Sequence, residues 1–225
     1  MKPRIYDFHT HTFYSDGILS PMELIRQAHR RAYAAIGITD HIAAGGLERR
    51  IEELIADCDI ASAHWDIIAI PGVELTHVPP AAIHQLAARA KSAGAKIVTV
   101  HGETPYEGVA PGTNHSAVTC PDVDILAHPG LIDPEDVTIA AENGTYLEIS
   151  GRKDHSLANG RVVMLAREKG AMLLVNSDAH IPQDLFNLSN VKSVALAAGL
   201  SGMETEKVLF DNPLSFLKRI GYDMK

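Results

Sequence analysis

The chain predicts an α/β fold, a distorted (β/α)7 TIM-like barrel whose chemistry sits at the C-terminal ends of the strands. The first observation behind this is a regular alternation of short β-rich runs with amphipathic helical patterns. Such alternation implies a parallel sheet covered by helices. The second is that seven repeats follow one another without a break in composition over residues 1–225, which favours one barrel domain over two. The third is that six of the seven β-rich runs end on His, Asp or Glu or reach one within two residues. An open doubly wound sheet is the alternative, but no Gly-rich dinucleotide turn supports it.

Taken in order, the first strand is expected over Arg4–His9 and leads into a turn-prone Ser15-Asp16-Gly17. A helix over Pro21–Arg31 follows, with Met22, Leu24, Ile25 and Ala28 on one face, Ser20 as N-cap and Pro21 at the first helical position. Strands are then expected over Ala35–Thr39, Ile67–Glu74, Lys96–His101, Asp124–His128, Thr145–Ile149 and Met172–Asn176. Helical patterns over Leu47–Ala63, Ala81–Ala93, Pro134–Glu142 and Asn159–Lys169 separate them. Gly94, Gly144 and Gly170 stand where helix C-caps belong. Residues 102–119 lack periodicity and carry Pro105, Gly108, Pro111 and Gly112. They follow a strand on the side where parallel barrels carry chemistry, so a lid or substrate-binding loop is expected. The tail, Met203–Phe210 and Pro213–Ile220, reads as two short helices packed on the barrel.

Composition narrows the function classes. An apolar fraction of 46% with 21% charged residues is that of a soluble globule. The net charge of −8 argues against a protein held to nucleic acid by bulk electrostatics. Sparse aromatics around a lone Trp65 offer no stacking ladder for single strands. No apolar run approaches the ~20 residues of a membrane helix. The opening Met1-Lys2-Pro3-Arg4 does not resemble a signal peptide, and Cys58 and Cys120 lack metal or disulfide spacing, so a cytoplasmic location is expected.

The strand ends carry the chemistry. His9 and His11, two apart on a strand, share a face and can converge on one cation. Asp16 can add an oxygen from the following loop. Later strand ends present Asp40-His41, Glu74, His101, His128, and Asp178 with His180. Strand ends of a βα barrel ring a single mouth. Imidazoles and carboxylates gathered there repel or cost desolvation unless something binds them, and divalent metals resolve that cost. Imidazole plus carboxylate without thiolate suits Zn, Mn or Fe. Such a set exceeds the needs of one ion, so two or three ions are expected, with Glu74 as the bridging carboxylate.

Arg152, Lys153 and His155, just after the sixth strand run, are candidate phosphate-binding residues, since a guanidinium clamps phosphate bidentately. The competing reading of Arg152 is a surface arginine paired with Glu148 or Asp154. His29, His64 and His84 fall in helical patterns and read as exposed or partly packed residues, whereas His77 and His115 read as loop residues. Thr39, Ser150 and Ser177 read as strand-end packing residues rather than nucleophiles.

Four motifs in order resemble the PHP family, named for polymerase and histidinol phosphatase: His9-Thr-His11-Thr with Tyr14-Ser-Asp16-Gly, Thr39-Asp40-His41, the pair His101 and His128, and Asn176-Ser-Asp178-Ala-His180. The resemblance spans essentially the whole chain, and Glu74 matches the family's bridging glutamate. It implies a distorted seven-stranded βα barrel with a trinuclear metal centre. The first metal would take His9, His11, Glu74 and Asp178, the second Glu74, His101 and His128, and the third Asp16, His41 and His180.

The expected function is therefore a metal-dependent phosphoesterase, a hydrolase attacking a small phosphomonoester through a metal-activated hydroxide in the manner of a histidinol phosphatase. Asp178 and His180 are the expected catalytic residues, with His180 or the third ion answering the leaving alkoxide's need for a proton or a charge. A nuclease or nucleotide phosphodiesterase is the alternative, and a non-catalytic metal-binding subunit a second. Hydrolysis of a C–N bond ranks lower, because amidohydrolase barrels that begin with His-X-His place a bridging lysine where this chain has His101.

Overall fold

The computed structural model describes residues 4–222, so Met1–Pro3 at the head of the expected opening lie outside the described residues. Parallel strands β1 (Ile5–Asp7), β2 (Tyr33–Ile38), β4 (Ile68–Leu75), β5 (Ile97–His101), β6 (Ile125–Ala127), β7 (Tyr146–Ser150) and β8 (Leu173–Asn176) pair in that order, and a two-residue β3 (His41–Ile42) lies alongside β4. This is the nearly closed seven-stranded barrel expected from the sequence. The short β3 is an addition, and it sets His41 beside Glu74 in register.

Helices α1 (Pro21–Arg30), α2 (Leu47–His64), α3 (Ile83–Ser92), α5 (Pro134–Asn143) and α6 (Asn159–Lys169) follow their strands as read. Ser20 caps α1 by accepting from Glu23 N at 3.2 Å. Gly94, Gly144 and Gly170 all have positive φ, as C-cap glycines do. Two helices were not anticipated. Inside the 102–119 stretch lies α4 (Thr113–Val118), whose six residues are too few to display a helical period. The other is α7 (Leu188–Ala197), which buries only Val191 and Ala195 and so shows little apolar patterning. The tail forms α8 (Gly202–Glu206), one π-helical turn over Lys207–Asp211, and α9 (Asn212–Arg219).

The strand interior is layered. Phe8, Ala35, Ile70, Ile97, Ile125, Tyr146 and Leu174 fill the barrel, and Phe216 and Leu217 of α9 close it from below. Further along the same strands the inward positions turn polar: Glu74 on β4, His101 on β5, Glu148 on β7 and Asn176 on β8. Gly72 lies between the two layers, where a Cβ would meet Ile97 O at 2.8 Å. A larger residue there would push apart the strands that carry Glu74 and His101.

Closure occurs at the seam between the ends of the chain. Asn176 Oδ1 accepts from Phe8 N at 3.0 Å, and Asp7 Oδ1 accepts from Ser177 N at 3.1 Å. Beyond these side-chain links, Asp178 N donates to His9 O and His11 N donates to Ala179 O. The seam thus lays His9 and His11 directly against Asp178.

Candidate metal centre

The seam, the strand ends and one loop build a cup of about 440 Å3 at the C-terminal mouth. In it the imidazoles of His9 and His11 converge as their spacing predicts, with Nε2 atoms 3.1 Å apart. Glu74 Oε1 lies 3.4 Å from His9 Nε2, and Asp178 Oδ1 lies 3.1 Å from His11 Nε2. A second group forms around the same glutamate oxygen, with His101 Nδ1 at 3.3 Å and His128 Nε2 at 3.6 Å. A third joins Asp16 Oδ1 to His180 Nε2 at 3.1 Å and His41 Nε2 at 3.6 Å, with His11 close enough to share a cation with them. Ligands held about 2.1 Å from one ion sit about 3–4 Å from each other, which is the spacing found here.

Backbone strain marks the same place. Among the described residues, His77, His128 and Asp178 are three of the four non-glycine residues with positive φ. His128 and Asp178 use this conformation as the chain leaves β6 and β8 and their side chains enter the cup. Such strain costs of order 1–3 kcal/mol per residue and persists where the surroundings impose it.

The loop carrying Asp16 is held by Asp40, which is not part of the cup. Asp40 accepts from Thr12 N, Thr12 Oγ1 and Ser15 Oγ, each at 2.7 Å. Gly17 completes the turn, since a Cβ there would meet His11 O at 2.4 Å.

Charge is shared unequally. Burial pushes the carboxyls of Glu74 and Asp178 up, but the surrounding imidazoles outweigh it and hold both well below the usual carboxylate range. Burial opposes a charge on His41 and His9, yet Glu74 lifts His41 to about 9, and Glu148, Glu74 and Asp178 lift His9 well above its ordinary value. Burial, opposed by Asp178, lowers His11 to about 3.

Divalent cations fit this donor set. Glu74 Oε1 and both ring nitrogens of His101 are buried without a hydrogen-bond partner among the described residues. Native structures rarely tolerate such atoms unless an ion or water satisfies them. The donors are carboxylate and imidazole, as Zn, Mn or Fe would require.

The phosphate-binding candidates separate. Arg152 stands at the rim, its Nη1 3.3 Å from Asp178 O and in contact with His180 Nδ1. Lys153 is exposed and lines an adjoining cavity instead of the cup. His155 is buried with its ring centroid 4.1 Å from that of His128, and burial pulls it down to about 4. At neutral pH it is an uncharged imidazole in the cup wall, not a cationic phosphate clamp.

Two acidic residues of this region escaped the sequence reading. Glu107, from the 102–119 loop, reaches the cup with Oε1 3.0 Å from His77 Nε2 and Oε2 3.8 Å from His101 Nε2. Nothing in its sequence context signals this, because the loop has no period. Glu148 is not a surface partner of Arg152: it is fully buried, with Oε2 2.8 Å from His9 Nδ1. Its inward parity on β7 was the available signal. His115, by contrast, is exposed and paired with Asp136 at 2.7 Å, outside the cup.

Fold and cup together define a parallel βα barrel with a histidine–carboxylate cluster at its mouth. The PHP domain model matches residues 7–119, and the chain belongs to the PHP family. It is 46% identical to an uncharacterized protein of Methanocaldococcus jannaschii over 96% of this chain and 99% of that protein. It is 27% identical to ribonuclease P protein component 3 of Methanococcoides burtonii, over 97% of this chain and 89% of that one. The same fold occurs in the crystal structure of histidinol phosphate phosphatase from Lactococcus lactis complexed with zinc, L-histidinol and phosphate. There the TM-score is 0.62 at 14% identity, covering 88% of this chain and 95% of that chain.

Proposed function

We propose that this protein is a metal-dependent phosphoesterase that hydrolyses a small phosphomonoester. The observation that carries the reading is the convergence of His9, His11, Asp16, His41, Glu74, His101, His128, Asp178 and His180 on one open cup with a guanidinium at its rim. Two or three divalent cations bound by these residues would lower the pKa of water to near neutrality and neutralise charge on a phosphoryl group. Arg152, with Asp178 O orienting one Nη, turns its remaining donors to the phosphoryl oxygens. The leaving alkoxide needs a proton or a positive charge, and a cation held by Asp16, His41 and His180 would supply the charge. A His180 free of that cation and protonated on both nitrogens, with Nδ1 donating to Asp178 O at 2.9 Å, would deliver the proton from Nε2. The acidic balance of the chain and the cup volume favour a metabolite-sized substrate. The ligands named for the Lactococcus lactis enzyme, histidinol and phosphate, are of that class. The free thiols Cys58 and Cys120 suit a reducing, cytoplasmic setting.

The ribonuclease P component among the relatives supports a second reading, a nuclease acting on an RNA phosphodiester. One assay separates them: phosphate release from an aryl phosphate and a panel of phosphomonoesters, run beside short oligonucleotides with manganese- and zinc-loaded protein. Monoester turnover that disappears in His9→Ala and in Asp178→Ala is the expected result. Undiminished turnover in both variants, or less than one equivalent of bound metal, would overturn the mechanism.

A further inference from the structure

Glu148 lies one layer below the cup, and hydrolysis as described above does not use it. Burying a carboxylate in a barrel interior is costly unless it is paired and hydrogen-bonded. Glu148 Oε2 accepts from His9 Nδ1 at 2.8 Å and from Asn176 Nδ2 at 2.9 Å. The other end of the Asn176 amide accepts from Phe8 N across the barrel seam. The carboxylate, the amide and the closing seam therefore form one buried unit directly behind His9.

A carboxylate only accepts, so the proton in the Glu148–His9 bond belongs to Nδ1, and Nε2 is the atom offered to the cup. Nε2 is also the atom that faces His11 Nε2 at 3.1 Å and Glu74 Oε1 at 3.4 Å. Were the ring flipped or the other tautomer adopted, His9 would present a hydrogen, not a lone pair, to that point. We infer that Glu148, itself held by Asn176, is a positioning residue that fixes the tautomer and ring orientation of His9 for cation binding. The inference rests on the reading of the cup as a metal centre.

The test measures metal rather than turnover. Metal content after gel filtration and affinity by chelator competition are compared for the wild type, Glu148→Gln, Glu148→Ala and Asn176→Ala. The ring 15N shifts of His9 are read in the zinc-loaded wild type. Glu148→Gln keeps an acceptor for His9 Nδ1 and should retain wild-type stoichiometry. Glu148→Ala should weaken the tightest ion about 10- to 100-fold, as loss of an orienting partner of a ligand histidine does. Asn176→Ala should show the same direction with a smaller effect, and His9 should bind zinc through Nε2 with Nδ1 protonated. Wild-type metal affinity in folded Glu148→Ala, or His9 bound through Nδ1, overturns the inference and leaves the metal centre standing. A wild type that binds no cation overturns both. If Glu148→Ala does not fold, the His9 nitrogen shifts decide.

Discussion

Asp40 shows how a residue beside a ligand can matter without touching the cup. Its sequence context, Thr39-Asp40-His41, places it among the acidic and imidazole groups at the strand ends. Its carboxylate instead spends its accepting capacity on Thr12 and Ser15, shaping the turn that presents Asp16. Replacing Asp40 with Ala leaves buried Thr12 N and Oγ1 without their partner, at a cost of about 1–3 kcal/mol. Urea denaturation of metal-free Asp40→Ala should show that loss. Metal analysis should show selective weakening of the Asp16–His41–His180 group, while the ions near His9 are retained. Equal weakening of all ions would mean that Asp40 acts on the whole cup. The residue scale is also where sequence reading reached furthest. Eight of the nine expected ligands sit on a strand or within four residues of its end, a position that follows from local βα alternation and strand parity, and the ninth, Asp16, lies in the loop after β1. Glu148 and Glu107 were missed for opposite reasons. Glu148 lies mid-strand, four residues before Arg152, and reads from the sequence only as a surface partner of that arginine. Glu107 lies in a segment with no register at all.

At the scale of elements, α9 closes the bottom of the barrel and has no contact with the cup. Phe216 is fully buried and packs on Phe8 and Tyr146, at ring-centroid separations of 4.7 and 5.0 Å. Truncating it to Ala should cost about 3–5 kcal/mol, the usual range for a buried phenylalanine. The denaturation midpoint of Phe216→Ala should fall accordingly, while the folded fraction keeps its metal stoichiometry. A stability change under 1 kcal/mol, about the cost of many surface substitutions, would mean that α9 is not the barrel's plug. That the tail forms helices was legible from its apolar spacing. That one of them serves as a stopper was not, because an amphipathic helix reads the same on the flank of a barrel as at its end.

For the whole molecule, the cup couples protons to cations. Without metal, Glu74 holds His41 at about 9, so at pH 7.5 that imidazole is protonated, and His9 is held higher than its ordinary value in the same direction. A cation takes the lone pair and the proton leaves. Cation binding at pH 7.5 should therefore release protons, and affinity should fall as pH falls. Titration calorimetry in Tris and in Hepes would register the release as a heat that changes with the buffer's ionisation enthalpy. A heat independent of buffer would contradict this charge distribution.

The sequence by itself determined the class of the molecule: a parallel βα barrel whose strand ends carry histidines and carboxylates suited to divalent metals. These features are local, since strand period, helix caps and ligand type are all set within a few residues. Only the tertiary structure decided how the barrel closes, which nitrogen of His9 faces the cup and which carboxylate stands behind it. Those choices depend on contacts across 139 positions between His9 and Glu148, and across 168 between Phe8 and Asn176. Pairings that distant follow from the stagger of seven strands around a nearly closed barrel, and no short stretch of chain encodes that stagger.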